Sequence, residues 1–118
     1  MIYEIGSEGQ EANIILPQGT SLNFSVVHKD EEGNVIDHSA SVGHMAFQGK
    51  NGNPHWKLDD YVTCDAEAIY VRLPGSLTDD GPVGKMRWDL IVDMSDGETV
   101  MLLHGTVSIT DTCSLDGD

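Results

Sequence analysis

The sequence predicts an all-β protein, an antiparallel β-sandwich of about seven strands. Apolar and polar residues alternate with period two along much of the chain, and turn signals separate the alternating runs. No segment sustains the 3.6-residue apolar period that an amphipathic helix requires. Alternation with one buried and one solvated face belongs to antiparallel sheets packed face to face, which gives the sandwich an immunoglobulin-like character.

The elements follow in chain order. Ile2 to Ile5 is an apolar arm joined by the glycine-rich "GSEGQE" to a second apolar run, Ala12 to Leu16, which Pro17 stops. The arm either pairs with its own sheet or exchanges into a neighbouring subunit. After the "QGTS" turn, Leu22, Phe24 and Val26 share one face of a strand, and Asp30 to Gly33 form a hairpin loop. Gly43, Met45 and Phe47 share a face of the next strand, ahead of a Gly, Asn and Pro loop that runs to His55 and Trp56. Ile69, Val71 and Leu73 alternate with Tyr70 and Arg72 until Pro74, after which "GSLTDDG" suits one helical turn capped by Ser76.

The last element is the plainest. "MRWDLIVDMSDGETVMLLHGTVSI", Met86 to Ile109, alternates on both sides of Asp96-Gly97, residues that tolerate the positive φ of a primed turn. With Asp96 and Gly97 as a two-residue loop, Val92 pairs with Met101, Leu90 with Leu103, Trp88 with Gly105 and Met86 with Val107. That face is apolar and belongs in the core, the missing side chain of Gly105 leaving room for the Trp88 ring. The opposite face pairs Arg87 with Thr106, Asp89 with His104, Ile91 with Leu102 and Asp93 with Val100. A solvated face is normally polar throughout. Here Ile91, Val100 and Leu102 form an apolar island rimmed by Asp89, Asp93 and His104, the composition of a candidate protein interface. Cover by a loop of the same chain is the alternative.

Composition narrows the function. The 118 residues suit one domain spanning positions 1–118, with an N-terminal arm to residue 10 and a loose acidic tail, "DTCSLDGD", from residue 111. With 20 acidic and 6 basic residues the net charge is -14, which repels phosphate backbones and anionic lipid, so neither nucleic acid nor membrane is an expected partner. The N-terminus lacks the basic and apolar regions of a secretion signal. Cys64 and Cys113 fit no zinc spacing, and two ordinary thiols are a simpler reading than a disulfide.

Candidate chemistry is sparse. The five histidines, His28, His38, His44, His55 and His104, form no HExxH or other close ligand pair. No GxSxG elbow surrounds a serine, and "QGKNGNP" lacks the ending of a phosphate loop, so no enzyme and no cofactor is expected. The acidic groups at Asp30–Glu32, Asp59-Asp60 and Asp79-Asp80 do not match the spaced calcium pattern and read as solvated loop charges. His55 and Trp56 stand as a candidate ligand or receptor loop, Trp56 either stacking on a sugar or lidding the end of the sandwich.

With the strands placed, "LPQGTSLNFSVVHKDEEGNVID", "WDLIVDMSDG" and "LLHGTVSI" resemble a group of small bacteriophage and prophage structural proteins. These share their layout with the N-terminal domain of phage baseplate upper proteins. The matching positions are Gln18, Gly19 and Thr20 at the start, Asp30 and Gly33 in the first hairpin, Trp88, Asp89 and Leu90 in the aromatic-Asp-Leu strand, Asp96 and Gly97 in the turn, and Leu102, Leu103, Gly105 and Val107 in the closing strand. The chain departs from the pattern in the Gly49 to Trp56 loop and in its Cys-containing tail. The resemblance implies a non-enzymatic virion component made in the bacterial cytoplasm: a tail, baseplate or fibre adaptor that binds other virion proteins as a homo-oligomer or in multiple copies, with no small-molecule ligand expected. Capsid decoration is a close alternative. A carbohydrate- or receptor-binding module built on Trp56, Tyr61 or Tyr70 is the second class of function.

Overall fold

The computed structural model describes residues 2–6, 9–49, 55–79 and 84–111. Among these the strands are β1 (Ile2–Ile5), β2 (Gln10–Glu11), β3 (Ile14–Pro17), β4 (Leu22–His28), β5 (Val42–Gln48), β6 (His55–Lys57), β7 (Val62–Cys64), β8 (Ile69–Leu73), β9 (Gly84–Asp93) and β10 (Thr99–Thr110). They build a four-stranded sheet in the order β1-β4-β8-β7 and a six-stranded sheet in the order β2-β10-β9-β5-β6, with β3 also pairing β10. Strands β4, β8 and β7 facing β5, β9 and β10 reproduce the two-sheet layout of an immunoglobulin-like sandwich.

The sheets are mixed rather than purely antiparallel. β1 runs parallel to β4, and β2 and β3 run parallel to β10. Only a tight hairpin forces antiparallel pairing, and the N-terminal segments join their sheets by crossing between layers. The arm pairs within its own chain, where Ile5 is buried, Tyr3 meets Phe24 edge to face at 5.6 Å, and Glu4 accepts from Lys29 at 3.1 Å.

The buried faces follow the alternation. Phe24 and Val26, Met45 and Phe47, Ile69, Val71 and Leu73, and Met86, Trp88, Leu90 and Val92 all lie in one core cluster. The short turn after Pro74 is 3-10 helical over Gly75–Leu77, with Pro74 rather than Ser76 at its cap and no side chain bonded there. Asp80 lies outside the described residues.

The final hairpin agrees with the expected register along its far half and departs from it near the turn. Leu90 pairs with Leu103, Trp88 with Gly105 and Met86 with Val107, whereas Val92 pairs with Val100 and Ile91 with Met101. Met94 and Glu98 close a loop of Ser95, Asp96 and Gly97, with Gly97 at φ 92°. One residue more in the loop turns Thr99 to Met101 over to the opposite faces. A bulge between Met101 and Leu103 then restores the original phase. Val100 therefore packs against the core and Leu102 is buried at 1% exposure, so neither belongs to the outward island predicted from sequence.

Gly105 also serves differently than expected. Its φ is 156°, and a Cβ there would lie 2.2 Å from the Ala12 carbonyl oxygen. The space is taken by the backbone of the crossing N-terminal segment, to which Trp88 Nε1 donates at 2.8 Å.

His28 and His38 form a buried polar pair that sequence spacing did not expose. Their rings stack at 5.2 Å, His28 Nδ1 lies 3.0 Å from His38 Nε2, and His38 Nδ1 lies 2.8 Å from Ser41 Oγ. Burial lowers both pKa values below 6.5, and His28 also bonds the Gly6 backbone. Period two continued from Leu22, Phe24 and Val26 carries His28 onto the buried face, which is the signal that marks it.

Candidate functional site

The outward face of the six-stranded sheet is assembled in cross-strand rows. His44, Ile91 and Met101 form one row, and Ala46, Asp89, His104 and Glu11 the next. A third row holds His55, Gln48, Arg87 and Thr106. Their inward neighbours are the core residues Met86, Trp88, Leu90 and Val92, so strand alternation fixes which side chains face out. Of the residues singled out from sequence, Ile91, Asp89, Asp93 and His104 are together on this face. Met101, 43% exposed, takes the position beside Ile91 that Leu102 was expected to hold.

At the turn-proximal end the face is held by charge. His44 Nδ1 lies 2.9 Å from Asp59 Oδ2 and His44 Nε2 lies 2.8 Å from Asp93 Oδ2. Hydrogen bonds accepted by the Asp59 carboxylate and then by that of Asp93 raise the His44 pKa above 6.5. Asp93 also accepts from the Thr99 hydroxyl at 2.7 Å, which with His44 lowers its pKa. The arrangement joins β5, β9 and the turn at Asp59–Tyr61 across an exposed surface.

At the centre, an open groove of about 450 Å³ runs over Asp89, with Glu11, Gln48, Arg87, Met101 and His104 along its sides. Partial burial raises the Asp89 pKa, an effect that Arg87, His104 and His55 oppose. Ala46 presents only a methyl group beside the carboxylate, which keeps the groove open.

His55 and Trp56 do not form one loop site. Both are in the edge strand β6, and His55 pairs with Gln48 while Trp56 pairs with Phe47. Adjacent strand residues point to opposite faces, so His55 is exposed on the outward side and half-buried Trp56 packs against Phe47 at 6.1 Å on the core side. Tyr70 lies under the Arg72 guanidinium at 5.6 Å, and Tyr61 packs against the core. Cys64 is half-buried and its thiol pKa is raised by burial, while the pairing with Cys113 lies outside the described residues. Asp30 accepts the Glu32 and Asn34 backbone N–H groups, closing its own turn. Among the described residues, no group of three or more His, Cys, Asp or Glu side chains converges as a metal site.

No protein-family model matches the sequence, nor does the sequence of any curated protein. Among solved structures, the N-terminal domain of phage TP901-1 ORF48 aligns over 92% of this chain and 98% of that chain, with a TM-score of 0.49 and 10% identity. A family 123 glycoside hydrolase from Clostridium perfringens aligns over 86% of this chain and 23% of that chain, with a TM-score of 0.51 and 10% identity. The second similarity is one of fold: this β-sandwich arrangement also occurs as a part of a larger protein.

Proposed function

We propose that this chain is a non-enzymatic structural protein of a bacteriophage particle, a tail, baseplate or fibre adaptor that works by docking onto other virion proteins. The observation that carries the reading is the outward face of the six-stranded sheet, where Ile91 and Met101 form an apolar pair bounded by Asp89, Asp93 and His104. A small apolar centre with a polar rim is what a non-obligate protein interface presents before its partner arrives. The motifs that resemble those of phage structural proteins support the same reading. Their residues build the hairpin that carries this face: Trp88 and Leu90 seat its inner side, Gly97 turns it, and Gly105 lets the N-terminal segment cross.

Mass spectrometry of purified particles from a strain carrying this gene tests the proposal. The chain is expected in the particles at a fixed ratio to the major tail or head proteins, and the protein with which it co-purifies distinguishes an adaptor from a capsid decoration. Its absence from particles, with the free chain present in the lysate, overturns the proposal.

A further inference from the structure

We infer that the stacked His28 and His38 rings form an acid-operated latch on the N-terminal arm, and that an arm released by it passes to β4 of a second copy of this chain. The inference concerns the four-stranded sheet and stands apart from the proposed docking face. His28 is 4% exposed and His38 is fully buried. Their rings stack at 5.2 Å with His28 Nδ1 3.0 Å from His38 Nε2, so one nitrogen donates and the other accepts while both rings are neutral. The pair holds the end of the arm. His28 is opposite Ile5 in the register of β1 on β4, it bonds the Gly6 backbone, and the N–H of the next residue, Lys29, donates to the Ile5 carbonyl at 2.8 Å.

The surroundings compensate an imidazolium poorly. Asp37 favours charge on His38, but its carboxylate is exposed and accepts the Ser39 N–H at 2.8 Å. Asp65 meets His38 through its backbone carbonyl and turns its carboxylate to the Glu67 and Ala68 N–H groups. On the arm, Glu4 pairs with Lys29 at 3.1 Å, and Ser41 offers His38 Nδ1 a hydroxyl at 2.8 Å. Protons are therefore taken up most readily when the pair opens. The arm is the part that opens with it: β1 is an edge strand of 4 residues that pairs with β4 alone, so it detaches without breaking another strand pair. Detachment bares the β4 edge and the ring of Phe24, which Tyr3 meets edge to face at 5.6 Å. The segment that fits this edge in sequence and register is Ile2–Ile5, and a second copy carries it. The hinge is at Gly6, where a side chain would meet open space, whereas Gly9 is seated against the Met101 carbonyl. On neutralisation the latch closes over whichever arm occupies the edge.

The test is an acid pulse on the full chain at about 1 mM, near the effective concentration of a short tether, so that a second copy competes with the chain's own arm. A mixture of isotope-labelled and unlabelled chain is held at a series of pH values, returned to neutral pH, and analysed by light scattering and isotope-filtered NMR. Both rings have folded pKa values below 6.5, so dimer is expected once the pulse falls below about pH 6.5, its yield growing by up to about tenfold per pH unit for each proton taken up on release. The dimer is expected to show the Tyr3 to Phe24 ring contact between labelled and unlabelled copies, and the amides of β9 and β10 are expected to stay protected during the pulse. Monomer at every pulse pH, a dimer without that contact between copies, a yield that does not follow the His28 and His38 ring titrations, or loss of β9 and β10 protection at the same pH overturns the latch. Every readout comes from the parent chain, so the result does not depend on the folding of a variant.

Discussion

The indole N–H of Trp88 donates to the carbonyl of Ala12 at 2.8 Å, and the same carbonyl occupies the space a side chain at Gly105 would need. One backbone group thus joins the N-terminal segment to both strands of the final hairpin. Trp88→Ala should destabilise the fold by about 3–5 kcal/mol. Trp88→Phe should cost about 1–3 kcal/mol, since it keeps most of the packing and leaves a buried carbonyl without its donor. Gly105→Ala should be destabilising through the crossing segment even with Trp88 intact. Urea unfolding of the three variants checks this, and a Trp88→Ala loss below about 1 kcal/mol would contradict the buried position.

The bulge gives the sharpest contrast between adjacent residues. Leu102→Ala should cost about 2–5 kcal/mol, as other buried leucines do. Met101→Lys should stay within about 0.5 kcal/mol of the parent, because its side chain is on the solvated face. Thermal unfolding of both variants tests the placement, and the reverse order would restore the unbulged register.

Much of the fold was legible because strand alternation needs only a correct phase. From Met86 to Leu90 the phase is uninterrupted, and the pairs with Leu103, Gly105 and Val107 follow from counting. Val100 and Leu102 were misplaced because Asp-Gly fits a two-residue turn as well as the final positions of the three-residue loop that forms. The bulge that compensates has no local sequence mark, since Met101, Leu102 and Leu103 are all apolar. For the same reason Asp89, Ile91, Asp93 and His104 share the outward face as counting places them, whereas Val100 and Leu102, near the turn and the bulge, do not. His55 and Trp56 were joined into one site because a loop imposes no facing rule, whereas a strand separates them.

His44 predicts one pH dependence. Its folded pKa is raised above 6.5 by Asp59 and Asp93, so its contribution is fully present below about pH 6.5 and is lost as pH rises through the raised value. His44→Gln should therefore destabilise more at pH 6 than at pH 9, and salt should reduce the difference because the groups are exposed. Urea midpoints at the two pH values check it, and a pH-independent difference would mean that the bridge carries no net charge interaction.

The buried pair predicts the opposite sign. His28 and His38 have pKa values lowered from 6.5 by burial, so their contribution is present above about pH 6.5 and is lost as pH falls through the lowered values. Protonation places two donors against each other at the 3.0 Å contact between the rings. Because His28 also bonds Gly6, the amides of Tyr3 to Ile5 should lose hydrogen-exchange protection on acidification before those of β9 do. Uniform loss across both strands would separate the pair from the arm.

The proposed docking of this chain onto a particle through the outward face of the six-stranded sheet turns on Ile91. Its most direct test is incorporation of Ile91→Asp, supplied in competition with the parent chain during particle assembly and quantified by mass spectrometry of purified particles. The account predicts a folded, soluble variant that is depleted from particles by at least about tenfold, because docking would strand its charge against an apolar partner surface. Incorporation at the parent ratio, with the variant's folding unchanged, would contradict it.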